Sequence, residues 1–304
     1  MRMPIHFRTL IALVAVAVSS IAHSQVKVVS LHPLIGDLAR QVAGKNAVVI
    51  DAVKPGGDIH HFEPTAKDVA GMKGALLILA SGKGLESYLS NLRDSVPGIP
   101  VVEVGRTIPS VKIEAGQEVF YCCPAHASGA IDPHWWHSAE NMRRAARVIA
   151  DALGEVDPAN KEAYKTAGAA VGQQMTELKT WAQQQFASIP RSERKLVTAH
   201  AAFGYFCKEY GFKSLPILGL SRQDEASAQY VAEAVKTIRE KGIKAVFAED
   251  QANPKVLREI VRETGVTMGE SLVADGTSPG ASTFATMFKH NVNAITKALQ
   301  VTRQ

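Results

Sequence analysis

The chain has 304 residues, of which 46% are hydrophobic and 21% are charged, as in a globular protein long enough for two ordinary domains. This composition argues against intrinsic disorder. The formal net charge of +5 falls to +3 if the first 24 residues, which contain two arginines and no acidic residue, are removed. Such a small and scattered positive excess argues against nucleic-acid binding.

The first 24 residues have the pattern of a secretory signal peptide. Arg2 and Arg8 precede the apolar run LIALVAVAV, and small residues follow before Gln25. The run is short for a membrane span, and no later stretch approaches the roughly 20 apolar residues that a span needs. No cysteine lies at the expected cleavage point to carry a lipid. We therefore expect a free periplasmic protein without a membrane anchor, and we expect it to be a monomer.

In the first half of the mature chain, short β-rich runs alternate with helical patterns. The helical patterns begin near residue 34 and at residue 65, and a third covers residues 85–92. The strand-like runs are VKVVSL, NAVVIDAV, GALLILAS and IPVVEV. Strands that alternate with helices predict a mostly parallel sheet flanked by helices.

The same alternation returns in the second half of the chain. Helical patterns cover residues 201–210, 226–240 and 254–263. The strand-like runs are KLVTAH, SLPILGL, KAVFAED and VTMGESLVA. The sequence therefore predicts a second α/β lobe, although no sequence repeat relates the two halves.

A long helical pattern separates the two halves. Asp157 and Pro158 open it as an N-cap and first-turn pair, and apolar residues recur at three- and four-residue steps to about Phe186. Such a helix is long enough to cross both lobes. We expect a signal peptide over 1–24, an α/β lobe over 25–156, a rigid linking helix over 157–189 and a second α/β lobe over 190–304.

Several histidines and acidic residues lie in loops or directly after predicted strands. They are His60, His61, His134, His137, His200, Glu249 and Asp275. In open α/β sheets, ligands bind outside the carboxyl ends of the strands, so residues distant in sequence can converge there. Three imidazoles and one carboxylate would suit Zn²⁺. Spacing alone does not choose this hypothesis over ordinary structural hydrogen bonds, because no two candidates form a compact metal-binding motif.

Four ordered blocks of the sequence carry a resemblance to a known family. DIHHFEPTAKDV, DPHWW, TAHAAFGYFCKEYGF and ADGTSPGASTFATMFKHNV resemble segments of the periplasmic metal-binding proteins that serve zinc and manganese ABC importers, the ZnuA/TroA-like family. The resemblance spans essentially the whole mature chain, including the long helix. It implies two α/β lobes, each a mostly parallel sheet flanked by helices, joined by one long rigid helix, with the metal in the cleft.

The resemblance also implies a set of metal ligands. They are His60, His134, His200 and Asp275, whereas His61 and His137 are neighbours of the ligands. Glu249 is the next carboxylate candidate if Asp275 is not a ligand.

The segment DPHWWHS departs in part from the family pattern. Trp136 falls where the family usually has tryptophan, but His137 stands where the family commonly has an aliphatic residue. Ser138 can cap the helix that follows. The resemblance gives no role to Trp135 or His137.

The segment YCCPAHASG occupies the region where zinc importers of this family often carry a histidine-rich loop. Cys122, Cys123 and His126 could form an auxiliary metal site. The interpretation that we favour is an ordinary loop whose cysteines oxidise or pair with Cys207. Cys207 itself is expected to be a buried packing thiol, because aromatic residues surround it in sequence.

The function that these observations favour is periplasmic capture of a divalent metal ion and its delivery to an ABC-type membrane permease. Three imidazoles with one carboxylate favour Zn²⁺ over Mn²⁺. One alternative is a zinc metallohydrolase with an open water position and Glu63 or Glu249 as the base. Another is an adhesion or interaction protein on the same scaffold. Asp275 argues against an enzyme, because a fourth protein ligand would close the coordination sphere.

Overall fold

Two parallel sheets dominate the architecture. The structure is a computed structural model that describes residues 25–112, 130–217, 228–250 and 253–300. Within these ranges each sheet has four strands, and in both sheets the first strand pairs with the second and the third. The predicted fold class, two α/β lobes with parallel sheets and a long helix between them, is confirmed.

The first sheet lies in the N-terminal lobe. Its strands are β1 (Val26–Ser30), β2 (Ala47–Asp51), β3 (Leu77–Ala80) and β4 (Val101–Glu103), and the helices between them are α1 (Pro33–Ala43), α2 (Ala66–Met72) and α3 (Leu89–Ser95). Helix α3 begins four residues later than the sequence pattern indicates. The buried Glu86 carboxylate accepts hydrogen bonds from the backbone N–H groups of Ser81 and Gly82, at 2.6 and 2.9 Å. These bonds hold the residues before α3 in a loop instead of a helix.

The second sheet repeats the arrangement. Its strands are β5 (Lys195–Thr198), β6 (Lys213–Pro216), β7 (Ala245–Phe247) and β8 (Thr267–Met268), and its helices are α6 (Gly204–Tyr210), α7 (Ala228–Glu240) and α8 (Lys255–Thr264). Helix α6 begins three residues later than predicted. The residues between β5 and α6 form a loop at the carboxyl end of the sheet, which is where side chains can face the other lobe.

Three longer helices pack together, because two of them contact the third and all three contact α1. They are α4 (Ala139–Val156), α5 (Lys161–Phe186) and α9 (Phe284–Leu299). The 26 residues of α5 correspond to about 39 Å at 1.5 Å per residue. A 3₁₀ turn precedes α5, and the Asp157 carboxylate stabilises it by accepting hydrogen bonds from the Asn160 amide (2.8 Å) and the Tyr164 hydroxyl (2.5 Å).

One hydrophobic core runs through both lobes along these helices. It includes Val28 of β1 and Leu196 of β5, together with the buried faces of α4, α5 and α9. The backbone N–H of Phe284, at the start of α9, also donates to the Asp37 carboxylate of α1 at 2.8 Å. The lobes are therefore joined by packed helices, which restrict their relative motion more than a loop hinge would. Among the described residues, no helix has the length and apolar character needed to cross a membrane.

Candidate metal centre

The structure brings His60, His134, His200 and Asp275 together. One ligand atom from each residue lies within 4.8 Å of the others. Asp275 Oδ1 is 3.4 Å from His60 Nε2, 3.7 Å from His134 Nε2 and 3.4 Å from His200 Nε2. His134 and His200 are fully buried. The arrangement offers three imidazole nitrogens and one carboxylate oxygen to a single ion.

The Asp132 carboxylate fixes the orientation of His134. Asp132 Oδ1 accepts hydrogen bonds from the backbone N–H and from Nδ1 of His134, both at 2.8 Å. Since a carboxylate oxygen accepts, Nδ1 carries the proton and the lone pair of Nε2 is directed at the other three residues. Burial lowers the pKa of His134 well below its usual value, and the nearby His60 and His200 lower it further. Burial also raises the pKa of Asp132 to about 7.

The Glu249 carboxylate supports His200 in the same way. One oxygen accepts from the backbone N–H of His200 at 3.0 Å, and the other contacts His200 Nδ1 in a short hydrogen bond. Burial alone would lower the pKa of His200, but the Glu249 and Asp275 carboxylates outweigh it and raise that pKa well above the usual value. Burial likewise opposes ionisation of Asp275, yet His200 and His60 hold the pKa of Asp275 well below the usual range. His200 therefore lies between two carboxylates, Glu249 at Nδ1 and Asp275 at Nε2.

The two glutamates considered as hydrolytic bases lie elsewhere. Both oxygens of Glu249 contact His200, so this carboxylate stands behind the imidazole and not beside the cluster. Glu63 is exposed and lines a separate cavity with Pro64 and Tyr88. Neither position suits activation of a water molecule at the four-residue cluster.

The turn Trp135–His137 gives partners to the two residues that the sequence left without a role. Trp135 Nε1 donates to the Ser81 carbonyl (3.2 Å) and contacts the Ser81 hydroxyl (2.9 Å), at the end of β3. Trp136 Nε1 and His137 Nε2 both donate to the carbonyl of Ala274, which directly precedes Asp275. The segment that carries His134 therefore binds both lobes.

The other histidines of these loops are outside the cluster. His61 is exposed, and its Nδ1 contacts the Asp58 carboxylate at 3.1 Å. His137 is buried, and burial lowers its pKa to about 3. As the family resemblance implied, neither belongs to the group of four.

His32, which was not among the residues proposed from the sequence, is fully buried next to this site. Its Nδ1 accepts from the backbone N–H of Leu34 (3.1 Å) at the start of α1, and its ring centroid is 4.3 Å from that of Trp136. Burial lowers the pKa of His32 to about 3. The signal that drew attention to His200, a histidine at the end of a strand, was present here too, since His32 follows β1 by two residues.

Of the three cysteines, Cys207 lies in the part of the chain that the structure describes, and it is not among the four clustered residues. Cys122, Cys123 and His126 lie outside the described residues. Cys207 is free and buried in the hydrophobic core, and burial raises the pKa of its thiol to about 12. The position of Cys207 agrees with a packing role.

Several known proteins are similar to this chain along most of its length. The manganese-binding lipoprotein MntA of Halalkalibacterium halodurans is 29% identical over 276 residues, which cover 90% of this chain and 88% of the relative. The iron-binding protein YfeA of Yersinia pestis is 31% identical over 274 residues, with coverage of 89% and 85%. The solved structure of the periplasmic zinc-binding protein TroA from Treponema pallidum matches with a TM-score of 0.81 at 26% identity, covering 91% of this chain and all of that chain.

The match to a protein family is equally extensive. The family described as zinc-uptake complex component A, periplasmic (ZnuA) matches residues 28–298, which include the second sheet, all but two residues of the first sheet, the long helix and all four clustered residues. Other relatives are named as substrate-binding lipoproteins of metal ABC transporters. The chain therefore belongs to the ZnuA family of metal-binding proteins that serve ABC transporters.

Proposed function

We propose that this protein captures a divalent transition-metal ion, Zn²⁺ in preference to Mn²⁺, and delivers it to the membrane permease of an ABC importer. The proposed ligands are His60, His134, His200 and Asp275. The observation that carries this proposal is the convergence of their four ligand atoms within 4.8 Å, between two lobes. The Asp132 and Glu249 carboxylates orient two of these imidazoles, His134 and His200.

The preference for zinc rests on the donor atoms. Three imidazole nitrogens and one carboxylate oxygen match a four-coordinate Zn²⁺ site, whereas Mn²⁺ favours carboxylate, carbonyl and water oxygens. The relatives are named for manganese, iron and zinc, so their names do not decide between the metals.

Binding and release, and not hydrolysis, is the activity that this donor set supports. A catalytic zinc keeps one coordination position for water, whereas four protein ligands fill a tetrahedral shell. Glu249, the buried carboxylate considered as the base that would activate a water molecule, already accepts hydrogen bonds from His200 through both oxygens. The protein is thus proposed to be a carrier without enzymatic activity.

We place the mature protein in the periplasm as a monomer with no lipid anchor. This proposal depends on the signal-like pattern of residues 1–24 and on the positions of the three cysteines, all of which come much later. Removal of the signal would leave lobes over 25–156 and 190–304, joined by the linking segment 157–189. Intact-mass measurement of protein from the soluble periplasmic fraction tests this, and a mature chain that retains residues 10–18 would contradict it.

The metal assignment is tested by elemental analysis of protein purified without added metal, followed by competition between Zn²⁺ and Mn²⁺. We expect bound zinc and tighter zinc binding. His134→Ala should reduce zinc affinity by more than about 100-fold, because changes to the residues behind metal ligands already cost roughly 10- to 100-fold. The matched control is His61→Ala, which removes an exposed imidazole from a neighbouring loop. Tighter binding of manganese than of zinc would overturn the metal preference. Equal losses of zinc affinity in the His134→Ala and His61→Ala variants would overturn the assignment of His134 as a ligand.

A further inference from the structure

One backbone carbonyl next to the proposed metal ligand Asp275 receives two side-chain hydrogen bonds from a single turn. Trp136 Nε1 donates to the Ala274 oxygen at 2.9 Å, and His137 Nε2 donates to the same oxygen at 2.8 Å. A carbonyl oxygen has two lone pairs, so these bonds fill its capacity as an acceptor. The donors precede Asp275 by more than 130 residues and belong to the segment that carries His134.

His137 makes a second contact that links it to the loop of another proposed ligand. Its ring centroid is 4.3 Å from that of Phe203 at an interplanar angle of 30°, and Phe203 follows His200 by three residues. His137 is 1% exposed. An aliphatic residue could fill the same space but could not donate a hydrogen bond.

The residue on the other side of Asp275 is a glycine with a positive φ. Gly276 has a φ of 140°, a conformation that residues with a side chain rarely adopt, and it opens the segment GTSPG. Asp275 thus lies between a residue whose carbonyl is held by two donors and a glycine. The two bonds to Ala274 oppose displacement of the backbone that carries the Asp275 carboxylate.

We propose that His137 is a positioning residue that holds the Asp275 loop closed over the metal site and slows the release of bound metal. The effect on release rests on the proposed function. The effect on the loop does not, because the hydrogen bond joins two protein groups whether or not a metal is bound.

Two substitutions separate the hydrogen bond from the packing. His137→Phe keeps an aromatic ring over Phe203 and removes the donor, whereas His137→Gln keeps an N–H donor and removes the ring. His137→Leu removes the donor and replaces the ring with an aliphatic side chain. If the hydrogen bond positions the loop, the Phe and Leu variants should differ from the parent and the Gln variant should resemble it. If the ring packing against Phe203 positions the loop instead, the Phe variant should resemble the parent and the Gln variant should differ from it.

The first measurement is hydrogen exchange of the metal-free full-length protein. The backbone N–H of Val273 donates to Asn291 Oδ1 at 2.9 Å, so its exchange rate reports opening of this loop. We expect exchange about fivefold faster in the Phe and Leu variants, which corresponds to one neutral hydrogen bond of roughly 1 kcal/mol. Thermal unfolding of each variant shows whether it folds, and the Leu variant replaces the Phe variant if the larger ring is not accommodated. Exchange at the parental rate in both would overturn the proposal.

The second measurement is zinc release into excess chelator, followed by stopped flow. Release should be about fivefold faster from the Phe and Leu variants, on the same hydrogen-bond estimate, and close to parental from the Gln variant. If the parent binds no zinc, the proposed function fails, while the exchange experiment still decides the role of His137. If the parent binds zinc and all variants release it at the parental rate, the control of release by His137 is wrong and the proposed function stands.

Discussion

Replacing Glu249 with Gln should weaken zinc binding by about 10- to 100-fold without unfolding the protein. Glu249 is 2% exposed and contacts only one proposed ligand, His200, through both of its oxygens. The substitution preserves shape and volume, so packing is retained. It changes the charge and the acceptor behind the imidazole.

The magnitude follows from the two hydrogen bonds. The backbone N–H and the Nδ1 of His200 each need an acceptor, and a glutamine offers one oxygen and one NH₂ group. One of the two bonds is therefore lost, and an N–H group faces another donor. A hydrogen bond to a charged group contributes about 1.5–3 kcal/mol, which corresponds to roughly 10- to 150-fold in affinity. This agrees with the usual effect of removing the carboxylate behind a histidine ligand.

The dependence on pH gives the prediction a second readout. The carboxylates of Glu249 and Asp275 raise the pKa of His200 above its usual value of 6.5, so a proton must leave His200 before its Nε2 can bind zinc. The parent's zinc affinity should therefore rise with pH until the raised pKa is passed. Glu249→Gln removes one of the two carboxylates and lowers that pKa, so proton competition weakens. The affinity loss of the variant should be largest at high pH and should shrink as the pH falls.

The assay is chelator competition for zinc, repeated from about pH 6 to about pH 9, on both sides of the ordinary histidine pKa of about 6.5. Glu63→Gln is the matched control, because it makes the same chemical change at an exposed glutamate close to His60 in sequence. We expect the control to match the parent at every pH. A Glu249→Gln variant with the parent's affinity and the parent's pH dependence would refute the assignment of His200 as a ligand supported by Glu249.

Three further predictions concern the same site. Gly204→Ala should lower zinc affinity by about tenfold without loss of helix content. A Cβ at Gly204 would lie 2.3 Å from Asp132 Oδ2 and displace the carboxylate that orients His134. Zinc titration measures the affinity and circular dichroism measures the helix content. Asp275→Ala should weaken zinc binding less than His134→Ala does, because a water molecule can take the place of the carboxylate, and it should also speed zinc release. If the release rate measured by stopped flow equals that of the parent, Asp275 is not a ligand. Zinc at about 100 times its dissociation constant should stabilise the fold by roughly 2.7 kcal/mol. The proposed ligands come from both lobes, so the site exists only in the folded protein, and an unchanged melting temperature would contradict this.

Local patterns were sufficient to predict the secondary structure and the fold class. Strands β1 to β8 each overlap a short β-rich run, and helical patterns separate most of these runs, since buried faces impose a repeat of two on strands and of 3.6 on helices. The four clustered residues were found because they lie in loops or after predicted strands and stand in blocks that resemble a known family. The starts of α3 and α6 were less well predicted. Glu86 delays α3 by bonding to the backbone at Ser81 and Gly82, and such competition leaves little trace in the periodicity.

The contacts that support the site required the tertiary structure. Glu249 was a candidate ligand or base from its place after a strand, but only the packing of β5 against β7 places both of its oxygens on His200, 49 residues away. The partner of Trp136 and His137 is a backbone carbonyl, which every residue possesses and no side chain marks. Sequence determined which residues could bind a metal, because residue type and local period are carried by each segment. Tertiary structure decided how those residues are oriented and held, because that depends on distances between segments that meet only when the two lobes pack together.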